Sequence, residues 1–115
     1  MNIENFINGL DYAITLCDTN GIVLYMNEKA KKTFAQEGGD LTGRNLLDCH
    51  PEPARNKLKH MMETQEKNVY TIEKKGIKKM IYQAPFYEDG IYKGFYEISL
   101  EIPFEMKNFV RTNSQ

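Results

Sequence analysis

Two apolar runs, residues 12–17 and 22–26, flank Asp18-Thr19-Asn20-Gly21, and the Asn-Gly pair inside that turn predicts a β-hairpin. Ahead of it, Phe6, Ile7 and Leu10 fall at helical spacing and predict a short leading helix ending near Gly9. Asn27 closes the second strand, where its side-chain oxygen can accept from the first free N–H groups of a helix through Ala30 and Phe34. Gly38-Gly39 stops that helix, and residues 40–47 read as a turn or a single helical turn in a crossing segment. A longer helix starts at Pro51 or Pro53, shows one apolar face through Leu58, Met61, Met62 and Gln65, and runs to about Lys67.

The last third is strand-rich. Residues 69–73, 77–87 and 91–102 form three runs separated by Lys74-Lys75-Gly76 and Glu88-Asp89-Gly90 turns. Alternation puts Met80, Tyr82, Ala84 and Phe86 on one face of the middle run, and Tyr92, Gly94, Tyr96, Ile98, Leu100 and Ile102 on one face of the last. These faces are expected to cover the core, with Ile81, Tyr87 and Phe95 pointing away. Strand, strand, helices and three more strands is the order of an α+β domain with helices on one face of an antiparallel sheet. Residues 1–11 form a leading cap, 12–103 the domain, and 104–115 a polar tail that starts helical and then frays.

Composition narrows the function classes. A chain of 115 residues, 41% apolar and 27% charged, fits one modest core. Fifteen basic against sixteen acidic residues leave a net charge of -1, which gives no broad attraction to nucleic acid or anionic lipid. The clusters Lys29, Lys31, Lys32 and Lys74, Lys75, Lys78, Lys79 read as solvated surface. No apolar run approaches the roughly 20 residues of a membrane span, and no secretion signal is present, so a cytoplasmic protein is expected. Cys17 and Cys49 form no Cys-x-x-Cys pair, and reduced thiols are the default.

The stretch Asp18-x-x-Gly21-Ile22-Val23-Leu24-Tyr25-Met26-Asn27-x-x-Ala30 resembles the signature of PAS domains, a strand-turn-strand closed by a helix-capping Asn. Asp40-Leu41-Thr42-Gly43-Arg44 is similar to their Gly-Arg turn, and residues 86–90 with Lys93-Gly94-Phe95 resemble their final hairpin. Asn45-Leu46-Leu47-Asp48-Cys49-His50-Pro51 looks most like a bacterial subgroup with Cys-His-Pro before the long helix. The resemblance implies the PAS fold: a five-stranded antiparallel sheet in the order 2-1-5-4-3, with helices enclosing a small cavity. Signalling PAS domains commonly end their last strand in Asp-Ile-Thr; here Glu101-Ile102-Pro103 stands instead, and proline cannot continue the hydrogen-bonded strand. Twelve residues follow, so signalling is expected to pass through a separate protein or a homodimer.

Candidate chemistry is sparse. His50 with Cys49 could ligate a haem iron, but adjacent side chains rarely converge on one metal, so packing for Cys49 and a helix-start hydrogen bond for His50 are favoured. Pro51-Glu52-Pro53-x-Arg55 resembles the helix start of haem PAS sensors, yet their ligand register holds Leu58, and a shift of two residues turns His60 away by about 200°. The cysteine segment of flavin photosensors is absent. Asp18, Glu28, Asp48 and Glu97 do not assemble with a nucleophile, and no enzyme is expected.

Met26, Met61, Met62, Met80 and Phe34 suit either an adaptable pocket or a filled core. The leading expectation is a sensory module whose cavity, ringed by Leu16, Leu24, Phe34, Leu47, Met61, Tyr82 and Tyr96, takes a small apolar or aromatic ligand. The alternatives are an interaction domain with a filled core, pairing through the outer sheet face and the leading helix with Ile81, Tyr87 and Phe95 as the apolar contact, or a haem sensor.

Overall fold

The first hairpin is set by Asp18, whose carboxylate accepts from the backbone N–H of Asn20 and of Ile22, each at 2.9 Å, and so bends the chain between two strands. In the computed structural model, which describes residues 1–112, these strands are β1 (Ala13–Asp18) and β2 (Val23–Met26). A short α1 (Ile3–Asn8) precedes them, capped by the Asn2 side chain accepting from Glu4 and Asn5. α2 (Glu28–Thr33) follows, and Gly38, at φ 115°, ends the 3-10 turn behind it in a conformation glycine adopts without steric cost. A second 3-10 turn (Leu46–Cys49) and α3 (Ala54–Thr64) complete the helical segment. α3 stops three residues short of the expected end because Gln65 turns left-handed, at φ 57°.

β3 (Asn68–Lys74), β4 (Ile77–Glu88) and β5 (Ile91–Ile102) form the remaining strands, and the antiparallel sheet has the order β2-β1-β5-β4-β3. The architecture expected from the PAS resemblance is the one observed. Pro85 sits within β4 without breaking the sheet, since β3 pairs only as far as Gln83 and the missing N–H faces no partner strand.

Two buried clusters lie between the helices and the sheet. Ala13, Val23, Met26, Ala30 and Leu41 form one, and Cys17, Leu58, Met61, Met62 and Phe95 the other. Asn27 joins the layers. It is fully buried; its oxygen accepts from Ile14 and Ala30, and its amide donates to the carbonyls of Ile7 and Tyr12, at 2.7–3.1 Å. The helix cap expected from sequence is therefore half of its role.

Three sequence expectations need correction. The core side of the sheet carries Ile81 and Phe95, 7% and 3% exposed, so the faces of β4 and β5 were assigned in reverse. Both faces of these strands are apolar, because α1 covers part of the outer one, and alternation alone does not say which meets the helices. Second, a bulge pairs Phe86 with Gly94 but Tyr87 with Tyr92, which turns Tyr92 to the α3 side, where Tyr87 donates to Gln65 at 2.7 Å. Third, the tail forms no helix through residue 112, bending at Phe104 and Glu105 and running irregular from there, since an isolated short helix gains too little to form; the end of the expected frayed tail, 113–115, lies outside the described residues. Among the described residues no helix is long and apolar enough to cross a membrane.

Candidate functional site

Strand register builds one polar row across the helix-facing side of the sheet. Asn68 on β3 pairs with Gln83 on β4, Gln83 with Glu97 on β5, and Glu97 with Thr15 on β1. Asn68 donates its amide to Gln83 Oε1 at 3.1 Å, and Gln83 donates to Glu97 Oε1 at 2.7 Å. The chain of amides therefore runs one way and ends on a carboxylate. On one side of this row lie Ile81, Ser99 and Ala13; on the other lie Pro85, Phe95, Cys17 and Val23. A polar line thus crosses a mainly apolar floor.

Above the floor is a cavity of about 40 Å³ lined by Thr15, Cys17, Phe34, Leu46, His50, Leu58, Phe95, Tyr96 and Glu97. That volume holds about three water-sized groups. His50 Nδ1 lies 2.7 Å from the Leu46 carbonyl. A carbonyl only accepts, so Nδ1 carries the proton, and in the neutral ring Nε2 is the acceptor. Toward β3 the floor opens to solvent, where Tyr70 is exposed beneath the Lys57 ammonium, 5.7 Å above its ring. Burial first, and the charge of Glu97 second, raise the Tyr70 phenol above its ordinary value near 10.0. Burial likewise pushes the Cys17 thiol from 9.0 up to about 11.

The seven pocket residues expected from sequence are not brought together. Phe34 lines the cavity, while Leu47 and Met61 pack in the cluster around Cys17 and Leu58. Leu16, Tyr82 and Tyr96 project from the opposite face; Tyr96 borders the cavity, but its ring stacks on Tyr82 with centroids 6.2 Å apart. Leu24 is half exposed because it is the extra residue of a bulge: Leu16 pairs with Tyr25 and Cys17 with Val23, which leaves Leu24 unopposed. Thr15, Gln83, Glu97 and Asn68 were missed as a group, since polar residues on strands read as outward-facing. The signal that could have found them is their alignment in one register row.

His50 borders the cavity and Cys49 is half-buried against the Ala13–Met26 cluster. Neither fits a haem. A porphyrin far exceeds the space available in this cavity. His60 is exposed and faces Glu66 at 4.0 Å, while Leu58 takes the buried position, as the helical register implies.

The family model for the PAS domain matches residues 11–95, and the chain belongs to that family. No functionally curated protein matches it in sequence. Among solved structures it is similar to the C-terminal domain of a Streptococcus mutans protein (22% identity, TM-score 0.72, 88% of this chain and 85% of that one). It is also similar to the PAS domain of BvgS from Bordetella pertussis (15% identity, TM-score 0.65, 88% and 84% covered). The Aer2 receptor of Vibrio cholerae, a dual PAS-heme oxygen sensor, shares the fold at 15% identity and TM-score 0.57, with 84% and 99% covered. PAS domains are sensory and signalling modules.

Proposed function

We propose that the chain is a ligand-responsive, non-catalytic sensory module whose ligand sits between the polar row of the sheet and the segment running from α2 through α3. The observation that carries this reading is the cavity with a hydrogen-bonded polar floor and an apolar lining of Phe34, Leu46, Leu58 and Phe95. The apolar walls suit a small ligand with an apolar or aromatic body. Binding acts by population shift: a ligand that fits one packing of the helical segment better than another enriches that packing, and a partner reads the altered surface. The sensing unit spans residues 12–103, with 1–11 as a cap. Two unpaired cysteines suit a reducing, cytoplasmic setting. Within the family we group the chain with bacterial members carrying Cys-His-Pro before α3.

The test is a screen of small fragments by amide NMR and thermal shift. Binders are expected to move the resonances of Thr15, Phe34, Leu58 and Phe95 and to raise the melting temperature. A broad panel that moves none of these resonances and no melting temperature overturns the reading.

A second reading, self-association, is favoured by one observation: α1 leaves Ile3 exposed beside Phe86 on the outer face, and Phe6 exposed on the same helix. Of the residues expected to supply the contact, Ile81 and Phe95 are buried and do not reach this surface, while Tyr87 is exposed. Sedimentation velocity on Phe6→Ser checks it; a wild-type monomer at high concentration removes it.

A further inference from the structure

Resting on the cleft as the ligand site, we infer that its ligand is a small organic cation, an amine or amidinium on an apolar body, with Glu97 as its counter-ion. Two features of the cleft converge on this chemistry. Glu97 is half-buried at the centre of the sheet, on the strand flanked by β1 and β4. Its carboxylate offers about four acceptor positions, and the Gln83 amide takes one. Among the described residues no basic side chain comes within 4.0 Å of it. The lysine at the rim, Lys57, lies over the Tyr70 ring instead. A carboxylate drawn partly out of water and met by a single neutral donor gains most from a positive donor.

The roof supplies the second feature. His50 spends its N–H on the Leu46 carbonyl, so in the neutral state its remaining nitrogen accepts. With His50 neutral, it and Glu97 both present acceptors among the cavity-lining groups. An anion would meet the Glu97 charge, and a neutral acceptor ligand would leave these groups unpaired. Phe34 and Phe95 among the walls favour a cation over an uncharged isostere. The limited volume restricts the head and its nearest carbons to a small group.

The experiment titrates the full chain at neutral pH with propylamine, 1-propanol and acetate, compounds of similar size, followed by amide NMR. Propylamine is expected to move the resonances of Thr15, Phe95 and Glu97 and to bind about tenfold or more tighter than 1-propanol. Acetate is expected to bind weakest. Glu97→Gln keeps an acceptor for the Gln83 amide and is expected to bring propylamine down to the level of 1-propanol. Equal or tighter binding of 1-propanol or acetate in the cleft overturns the cation assignment while leaving the cleft as a ligand site. An amine preference that survives Glu97→Gln overturns Glu97 as the counter-ion. No cleft response to any of the three also overturns the inference, and the broader fragment screen then decides the sensory reading separately. The wild-type ranking decides the matter even where the variant does not fold.

Discussion

Asn27 is the residue on which the first half of the chain converges. All four hydrogen bonds of its side chain are made inside the protein, so replacing it leaves two backbone N–H groups and two carbonyls to find new partners. Asn27→Ala is expected to cost about 3 kcal/mol or more, measured by urea denaturation. Gly94 is a second sensitive position for a different reason. A Cβ there would collide with the Cys17 carbonyl, a backbone atom that cannot swing aside, so Gly94→Ala is expected to destabilise by about 2 kcal/mol or more in the same assay. Cys17 gives a pH signature. Its thiol is raised to about 11 in the folded chain, so the folded state holds this proton more tightly than the unfolded one. The resulting stability is complete below pH 9.0 and is lost as pH rises toward 11. Denaturation midpoints across that window check the sign, and Cys17→Ser should remove this component. Iodoacetamide at neutral pH is expected to label half-buried Cys49 well before Cys17.

At the scale of elements, strands and turns were legible because their signals are local. Asp18 and the Asn-Gly pair gave the first hairpin, Asn27 the start of α2, and β5 begins and ends at the expected residues. Which face of a strand looks inward was not legible, because that depends on what covers each side. Met80, Tyr82, Ala84 and Phe86 form the more apolar stripe of β4, yet they face away from α2 and α3. Bulges add to the difficulty: Leu24 and Tyr92 each leave the alternation of their neighbours, and a single strand carries no sign of the slip. The polar row was illegible for the same reason, since Asn68, Gln83, Glu97 and Thr15 meet only through the pairing of four strands. α3 contributes Leu58 to the cavity wall, and Leu58→Ala is expected to cost about 2–4 kcal/mol while widening the cleft. Calorimetry reads the loss, and tighter binding of bulkier cleft ligands reads the widening.

Across the whole molecule, firm and loose parts are unevenly distributed. β4 and β5, twelve residues each and paired along nearly their full length, form a stiff centre, while the path from Ala35 to Pro53 holds two 3-10 turns and one isolated bridge, Asn45 with Ile22. Amide hydrogen exchange is therefore expected to be slowest in β5 and faster across residues 35–53 apart from Gly43 and Leu46, whose N–H groups bond the Val23 and Gly21 carbonyls, and a cleft ligand is expected to slow exchange in that segment first. Uniform protection along the chain would contradict this division.

Asn27 also acts at this largest scale. Its oxygen holds the start of α2 on the inner side of the sheet, and its nitrogen grips the end of α1, whose other residues lie across the outer side. Any tilt of α2 driven from within must either snap one of these links or drag the end of α1 along. One amide thus ties the two sides of the sheet together at the end of its edge strand, so that displacing α2 pulls on α1.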